Sequence, residues 1–152
     1  MLRGLKFLPI FVGLVTDIGG SFVVGLLFGL ALFIFHAAQG MPTRDIVAQM
    51  DSKHIQQSLL LMSASLGLGS FCSLLGGFVV GWMARVSQVK NGFVMGLFST
   101  AFGSFFWASN PLWYNVICPF FTVAATTSGA YFAQVIFGRG PTPPPPPAGY
   151  GQ

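Results

Sequence analysis

Charged residues are scarce in this sequence: Lys, Arg, Asp and Glu together make up 7% of its 152 positions. A soluble domain carries about 25% charged residues, so this composition excludes a water-soluble fold. The seven basic residues stand singly along the chain rather than in a cluster, and a nucleic-acid-binding surface is therefore not expected. Two cysteines without CxxC spacing and two histidines without a neighbouring third ligand indicate neither a disulfide framework nor a metal site.

Catalytic groups are also missing from the sequence pattern. No nucleophile stands beside a base, no two carboxylates are paired, and no cluster of metal ligands is present, and these are the arrangements that active sites use. We therefore expect that the protein is not an enzyme and that it carries no cofactor.

Apolar residues make up 53% of the sequence and collect in four long runs. A helix needs about 20 apolar residues to cross a bilayer, with a range of about 17 to 25. The runs predict an all-α membrane protein, an antiparallel bundle of four transmembrane helices that forms one domain over residues 1–137. The predicted helices lie near residues 8–35, 57–84, 92–109 and 114–137.

The first run is too long for an upright crossing. Either its helix tilts, or the residues before Leu14, kinked at Pro9, lie along the membrane surface as a short apolar segment. The loop that follows is the longest polar connection, and it contains the sequence TRDIVAQM over residues 43–50. We predict a short surface helix there, because Thr43 can cap its start. A receptor-like domain is not expected, because about 19 loop residues cannot bury a core of their own.

A proline-rich tail is predicted over residues 138–152. Five consecutive prolines at 143–147 enforce an extended polyproline helix without internal hydrogen bonds. The simple interpretation is a stiff, disordered tail. The alternative is a ligand that docks into an aromatic groove on a cytoplasmic partner.

Basic residues near the membrane predict the orientation of the chain. They stand in the N-terminal segment, in the second loop at Arg85 and Lys90, and in the tail at Arg139, whereas the third loop is uncharged. Positively charged loops remain in the cytoplasm, so both termini and the second loop are predicted to be cytoplasmic. Arg85, Lys90 and the nearby Trp82 are the expected topology anchors at that interface.

Small residues recur at four-residue spacing in every apolar run. Such lines let two helix backbones approach closely, which is how helices associate in lipid. They therefore predict a packing face on each helix, with close crossings between them. The lines are Gly13, Asp17, Ser21, Gly25 and Gly29; Ser65, Gly69, Ser73, Gly77 and Gly81; Gly92, Gly96, Thr100, Ser104 and Ala108; and Ala125, Gly129 and Ala133, with Thr122, Thr126 and Ala130 on the neighbouring row. The predicted helix-packing residues are Gly25, Gly29, Gly69, Ser73, Gly77, Gly81, Gly92, Gly96 and Gly129.

Asp17 is the one acidic residue inside an apolar run. An ionised Asp at the membrane centre costs about 2.5–3.5 kcal/mol on insertion scales, so such residues are usually functional. If the crossing starts near Val15, Asp17 lies at the cytoplasmic boundary or pairs helices, with Arg85 or Lys90 as counter-charges. If the crossing starts at Phe7, Asp17 lies several turns into the membrane and is a candidate coupling group, with Ser21 one turn away.

The run from Gly76 to Arg85, with its Gly-Gly-Phe-Val-Val-Gly-Trp-Met-Ala-Arg sequence, precedes Asn91, Gly92 and Gly96. This pattern resembles small four-helix bacterial membrane proteins with no assigned activity, and Val-Thr-Asp-Ile-Gly-Gly at 15–20 is similar to their first helix. The resemblance covers most of residues 14–100. It implies a four-helix bundle in the inner membrane of a bacterial cell, and the polyproline tail departs from it.

Two functions are consistent with these features. The first is a non-enzymatic membrane protein that acts through helix packing, as a self-associating bundle or as an accessory subunit of a larger membrane complex. Its partners would be the lipid bilayer, further copies of the chain or other membrane subunits. The alternative is a small oligomeric transporter in which Asp17 binds a proton or a cation.

Overall fold

The computed structural model of the chain describes residues 4–49, 58–105 and 110–138, with the backbone alone at Gln49. Within these ranges the protein is all-helical and contains no strand, which confirms the predicted all-α class. The proline-rich tail from residue 139 onward, Trp107 and Ala108 lie outside the described residues. The helices are α1 Phe7–Ala38, α2 Thr43–Gln49, α3 Leu59–Ala84, α4 Gln88–Gly103 and α5 Leu112–Phe137.

Three of these helices are long and apolar enough to cross a membrane: α1, with 32 residues, and α3 and α5, with 26 each. At 1.5 Å per residue, 26 residues extend about 39 Å, more than the hydrocarbon core of about 30 Å. Helix α4 has 16 residues, or about 24 Å, and starts four residues before the predicted 92. The earlier start reflects the side chain of Asn91, which bonds into the turn before α4.

Helix α1 is continuous from Phe7, so the segment before Leu14 does not form a separate surface element. Pro9 is its third residue, in the first turn, where backbone amides have no partner within the helix and a proline is tolerated. Pro9, Ile10 and Gly13 are buried against the rest of the bundle. The beginning of α1 is therefore part of the packed structure.

Helices α1, α3, α4 and α5 pack closely at one end of the bundle. We name this the closed end: α1 begins there at Phe7, α3 ends at Ala84, α4 begins at Gln88 and α5 ends at Phe137. The opposite end, which carries the α1–α2 connection, is named the open end. Helix α2 lies at the open end, and its Ile46 is buried.

Glycines place α1 and α3 in backbone contact near the closed end. A Cβ atom added to Gly76 would lie 2.8 Å from the carbonyl oxygen of Gly13, and one added to Gly13 would lie 2.9 Å from that of Gly76. Real Cβ atoms do not approach backbone oxygens so closely. The crossing therefore requires glycine on both helices, which is the small-residue packing expected in lipid.

Helix α5 packs against α3 by the same device. A Cβ added to Gly77 would overlap the backbone of Thr126, and one added to Gly129 would overlap the carbonyl group of Leu74 and lie 2.8 Å from the Phe78 nitrogen. Because each helix supplies a glycine opposite the backbone of the other, the two axes come close together. This crossing forms the centre of the closed end.

Asn91 fastens the N-terminal segment to the turn between α3 and α4. Its side chain is fully buried. The two Nδ2 hydrogens are shared among the carbonyl oxygens of Gly4, Val86 and Ser87, which lie 2.9–3.2 Å from Nδ2, and Oδ1 accepts from the Lys6 amide at 2.9 Å. One amide side chain thus satisfies backbone groups from two segments that no secondary structure pairs.

Replacing Asn91 with leucine is expected to lower the free energy of unfolding by about 2–4 kcal/mol, because buried backbone groups would lose their partner to an apolar side chain with the same number of heavy atoms. The measurement is the midpoint of SDS-induced unfolding in mixed micelles, followed by circular dichroism. Gln134→Leu makes the same change at an exposed position and is the control. Equal midpoints for the two variants would contradict this role of Asn91.

Candidate functional site

The helices separate between the middle of the bundle and its open end. Within the described chain, Asp17 is the last buried residue of α1, Gly96 the last of α4 and Thr126 the first of α5. In α3, Met62 is the only buried residue before Cys72. The bundle is therefore tight at the closed end and opens into a cleft above it.

Asp17 lies at the foot of this cleft. It is ten residues from the start of α1, while Ser73 is eleven residues from the end of α3 and Ser99 eleven from the start of α4. At 1.5 Å per residue all three lie about 15–17 Å from the closed end. The three helices thus place one polar side chain each at the same depth.

These three side chains form one hydrogen-bonded group. The Ser73 hydroxyl donates to Oδ1 of Asp17 at 2.9 Å, and the Ser99 hydroxyl donates to Oδ2. Asp17 is only 3% exposed. Both carboxylate oxygens are therefore held by hydroxyl groups from two other helices, which offsets part of the cost of burying a charge.

The cleft above Asp17 has a volume of about 250 Å³. Helices α1, α3, α4 and α5 each contribute residues to its lining. Most of these residues are glycines or carry a hydroxyl or thiol group. The lining residues are Asp17, Ile18 and Ser21 from α1; Ser65, Leu66, Gly69, Ser70 and Ser73 from α3; Ser99, Phe102 and Gly103 from α4; and Tyr114, Cys118 and Thr122 from α5.

Polar contacts continue up the α5 side of the cleft. Tyr114 and Cys118 of α5 line the cleft opposite Ser65 of α3. The Cys118 sulfur lies 4.0 Å from the Thr122 hydroxyl, which is one turn nearer the foot. A chain of polar groups therefore runs from the open end toward the level of Asp17.

The predicted packing residues divide between the closed end and the cleft. Five of them stand at helix crossings, where an added Cβ would meet another helix: Gly77, Gly81, Gly92, Gly96 and Gly129. Ser73 is buried and bonds Asp17. Gly69 lines the cleft and Gly25 is exposed, with nothing within 4 Å of an added Cβ at either. The helices of this chain diverge above Asp17, so neither glycine stands at a crossing within the described bundle; Gly29 is half-buried.

The other predicted residues lie either at the closed end or in the cleft. Arg85, Lys90 and Trp82 are exposed at the closed end, and Arg85 ends α3 in the left-handed conformation with φ of 54°. Ser21 lines the cleft one turn above Asp17. The recorded hydrogen-bond partners of Asp17 are serines, so the expected pairing with Arg85 or Lys90 is replaced by hydroxyl contacts.

Sequence reasoning missed Ser99 and the structural role of Asn91. The four-residue spacing from Gly92 predicts Thr100 on the packing face of α4. The residue that bonds Asp17 is its neighbour Ser99. The sequence motif contains Asn91 but assigns it no structural role. An amide side chain between helix ends was the available signal for it, because it can bond several free backbone groups.

Comparison of the chain with protein-family models, curated proteins and solved structures finds no match. Among the described residues, no three His, Cys, Asp or Glu side chains are grouped so that they could hold a metal ion. The arrangement that remains for functional interpretation is the carboxylate of Asp17 at the foot of a cleft lined by both hydroxyl-bearing and apolar residues.

Proposed function

We propose that the chain is an integral membrane protein with four crossings and that its closed end faces the cytoplasm. Three helices have the length and composition for a crossing. Helix α4 packs against α5 through Gly92 and Gly96, and a short helix can be accommodated by local thinning of the bilayer. Exposed Lys6, Arg85 and Lys90 at the closed end support the cytoplasmic orientation, including both termini. The inner membrane of a bacterial cell is the proposed location.

We propose that this membrane protein is a small transporter that binds a proton or a cation at Asp17. The observation that carries the proposal is the position of Asp17: a buried carboxylate, held by two hydroxyls, at the foot of a cleft that leads to one side of the membrane. Intramembrane carboxylates facing a bundle interior mark ion and proton pathways.

Asp17 is accessible from the open end of the bundle but not from the closed end. Above Asp17, polar side chains line a route toward the open end. Below it, the glycine crossings bring helix backbones into contact and block the route to the cytoplasm. The described conformation is therefore open to the outer side, and transport requires the crossings near Gly13 and Gly77 to loosen when the open end closes.

The experiment that tests this function uses the full chain in liposomes with an acidic interior. External sodium, potassium or methylguanidinium chloride is added, and a trapped dye reports the interior pH. Methylguanidinium is suitable because guanidinium groups stay charged at neutral pH and do not cross bare lipid readily. We expect at least one cation to drive proton efflux faster than in protein-free liposomes. Efflux no faster than in protein-free liposomes with any of the three cations would overturn the proposed exchange.

A second function, assembly through helix packing, is favoured by the exposed outer half of α1. None of the residues in its most apolar stretch of 18 is buried within the chain, and Gly25 there has open space around it. A close-packed partner, either a second copy or another membrane subunit, would find a small-residue surface at Gly25 and Gly29. The two functions are compatible, because the cleft and this surface use different residues.

Replacing Gly25 with leucine is expected to leave the fold intact, since an added side chain meets no neighbour, and to convert an assembled form to monomers. The measurement is the oligomeric mass in mild detergent by light scattering. Gly19→Leu is the matched control, because Gly19 is also exposed, with nothing within 4 Å of an added Cβ, but stands off the line. An unchanged mass for Gly25→Leu would contradict assembly through this surface.

A further inference from the structure

The foot of the cleft presents acceptors and negative charge to a ligand. A hydroxyl group has a single hydrogen, and Ser73 and Ser99 both donate theirs to Asp17, so these serines face a ligand with lone pairs alone. A carboxylate offers about four lone-pair positions, of which the serines occupy two. Two positions on Asp17 therefore remain for donors from a bound molecule.

The walls above the foot are partly aromatic. Phe102 stands one turn beyond Ser99 on α4, and Tyr114 lines the same cleft from α5. A volume of about 250 Å³ greatly exceeds the roughly 10–15 Å³ that a single water molecule needs. The cleft therefore has room for an organic molecule, and its aromatic rings favour a cation.

We propose that the cleft binds a small organic cation that carries N–H donors, a primary ammonium or a guanidinium group with a short apolar body. This inference rests on the proposed cation site at Asp17 and names its ligand class. The charged group bonds the free positions of Asp17 and the lone pairs of Ser73 and Ser99, while the body lies between Phe102 and Tyr114. An ammonium group has three donors, which these acceptors can satisfy.

The native thiol of Cys118 provides the test, because it lines the cleft and is partly exposed. In the full chain with Cys72→Ala, Cys118 is the one remaining cysteine. The protein is reconstituted in lipid nanodiscs, and the rate of Cys118 modification by uncharged methyl methanethiosulfonate is measured. The probes are phenethylammonium, its neutral isostere 2-phenylethanol, and sodium chloride at the same concentration.

We expect phenethylammonium to slow the modification about tenfold when nine-tenths of the sites are occupied, since the rate follows the unoccupied fraction. The alcohol and sodium should have little effect, and Asp17→Asn should remove the protection. Equal protection by the alcohol would overturn the inference, because it would show that the positive charge is not needed for binding. Equal protection by sodium would replace the organic ligand with a metal ion while leaving the proposed function standing. Protection without any proton efflux would support the ligand and contradict transport.

Discussion

The Asp17→Asn variant is expected to lose cation-driven proton efflux completely, down to the rate of protein-free liposomes. Asparagine has nearly the same shape as aspartate, and its amide oxygen can still accept a hydroxyl hydrogen bond. It carries no charge and cannot bind and release a proton. The change therefore removes the proposed chemistry of the site with little change in its volume.

Folding and function must be separated for this variant. Circular dichroism and the elution volume in mild detergent should match those of the unsubstituted chain, because Asn keeps part of the hydrogen bonding at the junction of three helices. Asp45→Asn is the matched control, as it makes the same change at an exposed position of α2 and should leave efflux undiminished. A folded Asp17→Asn protein with undiminished efflux would exclude Asp17 as the coupling residue.

The Gly77→Ala variant is expected to destabilise the bundle by about 3 kcal/mol or more, because overpacking against fixed backbone is among the costliest substitutions. The added methyl group would overlap the carbonyl and Cα atoms of Thr126, and helix α5 would have to move away from α3. Membrane insertion should be retained, since alanine is apolar. The measurement is the midpoint of SDS-induced unfolding.

Gly69→Ala provides the comparison within the same helix. Gly69 is eight residues from Gly77 on the same predicted line, yet an added Cβ there meets nothing within 4 Å. We expect a midpoint equal to or slightly above that of the unsubstituted chain, because alanine favours helix by about 1 kcal/mol relative to glycine. If both variants unfolded at the same midpoint, the close α3–α5 crossing would be refuted.

The four-residue spacing of small residues predicted which faces of the helices meet, and at the closed end Gly77, Gly81, Gly92, Gly96 and Gly129 stand where an added Cβ would meet another helix. The same spacing could not show how far along each helix the contact continues. Gly69 and Ser21 stand on the predicted faces but line a cleft. A periodic pattern defines a direction around a helix, whereas the angle between two helices decides where their surfaces separate.

The depth of Asp17 was the main question that the sequence left open. Its answer depends on where α1 begins, and helix starts are among the least certain features of a sequence. In the structure α1 begins at Phe7 and its first turns are packed against the bundle, so Asp17 stands about 15 Å along the helix. Ser73 and Ser99 are its partners because of how α1, α3 and α4 are rotated about their axes, which the sequence pattern does not show.

The sequence by itself determined that this is an all-helical protein with helices apolar enough for a membrane, because composition and run length alone control whether a segment is stable in lipid. It also determined that Asp17 is exceptional. The tertiary structure decided that the helices close at one end and part at the other, and that hydroxyls from α3 and α4 meet the carboxylate there. Those features arise from crossing angles and helix rotations, which depend on contacts between segments far apart in the chain.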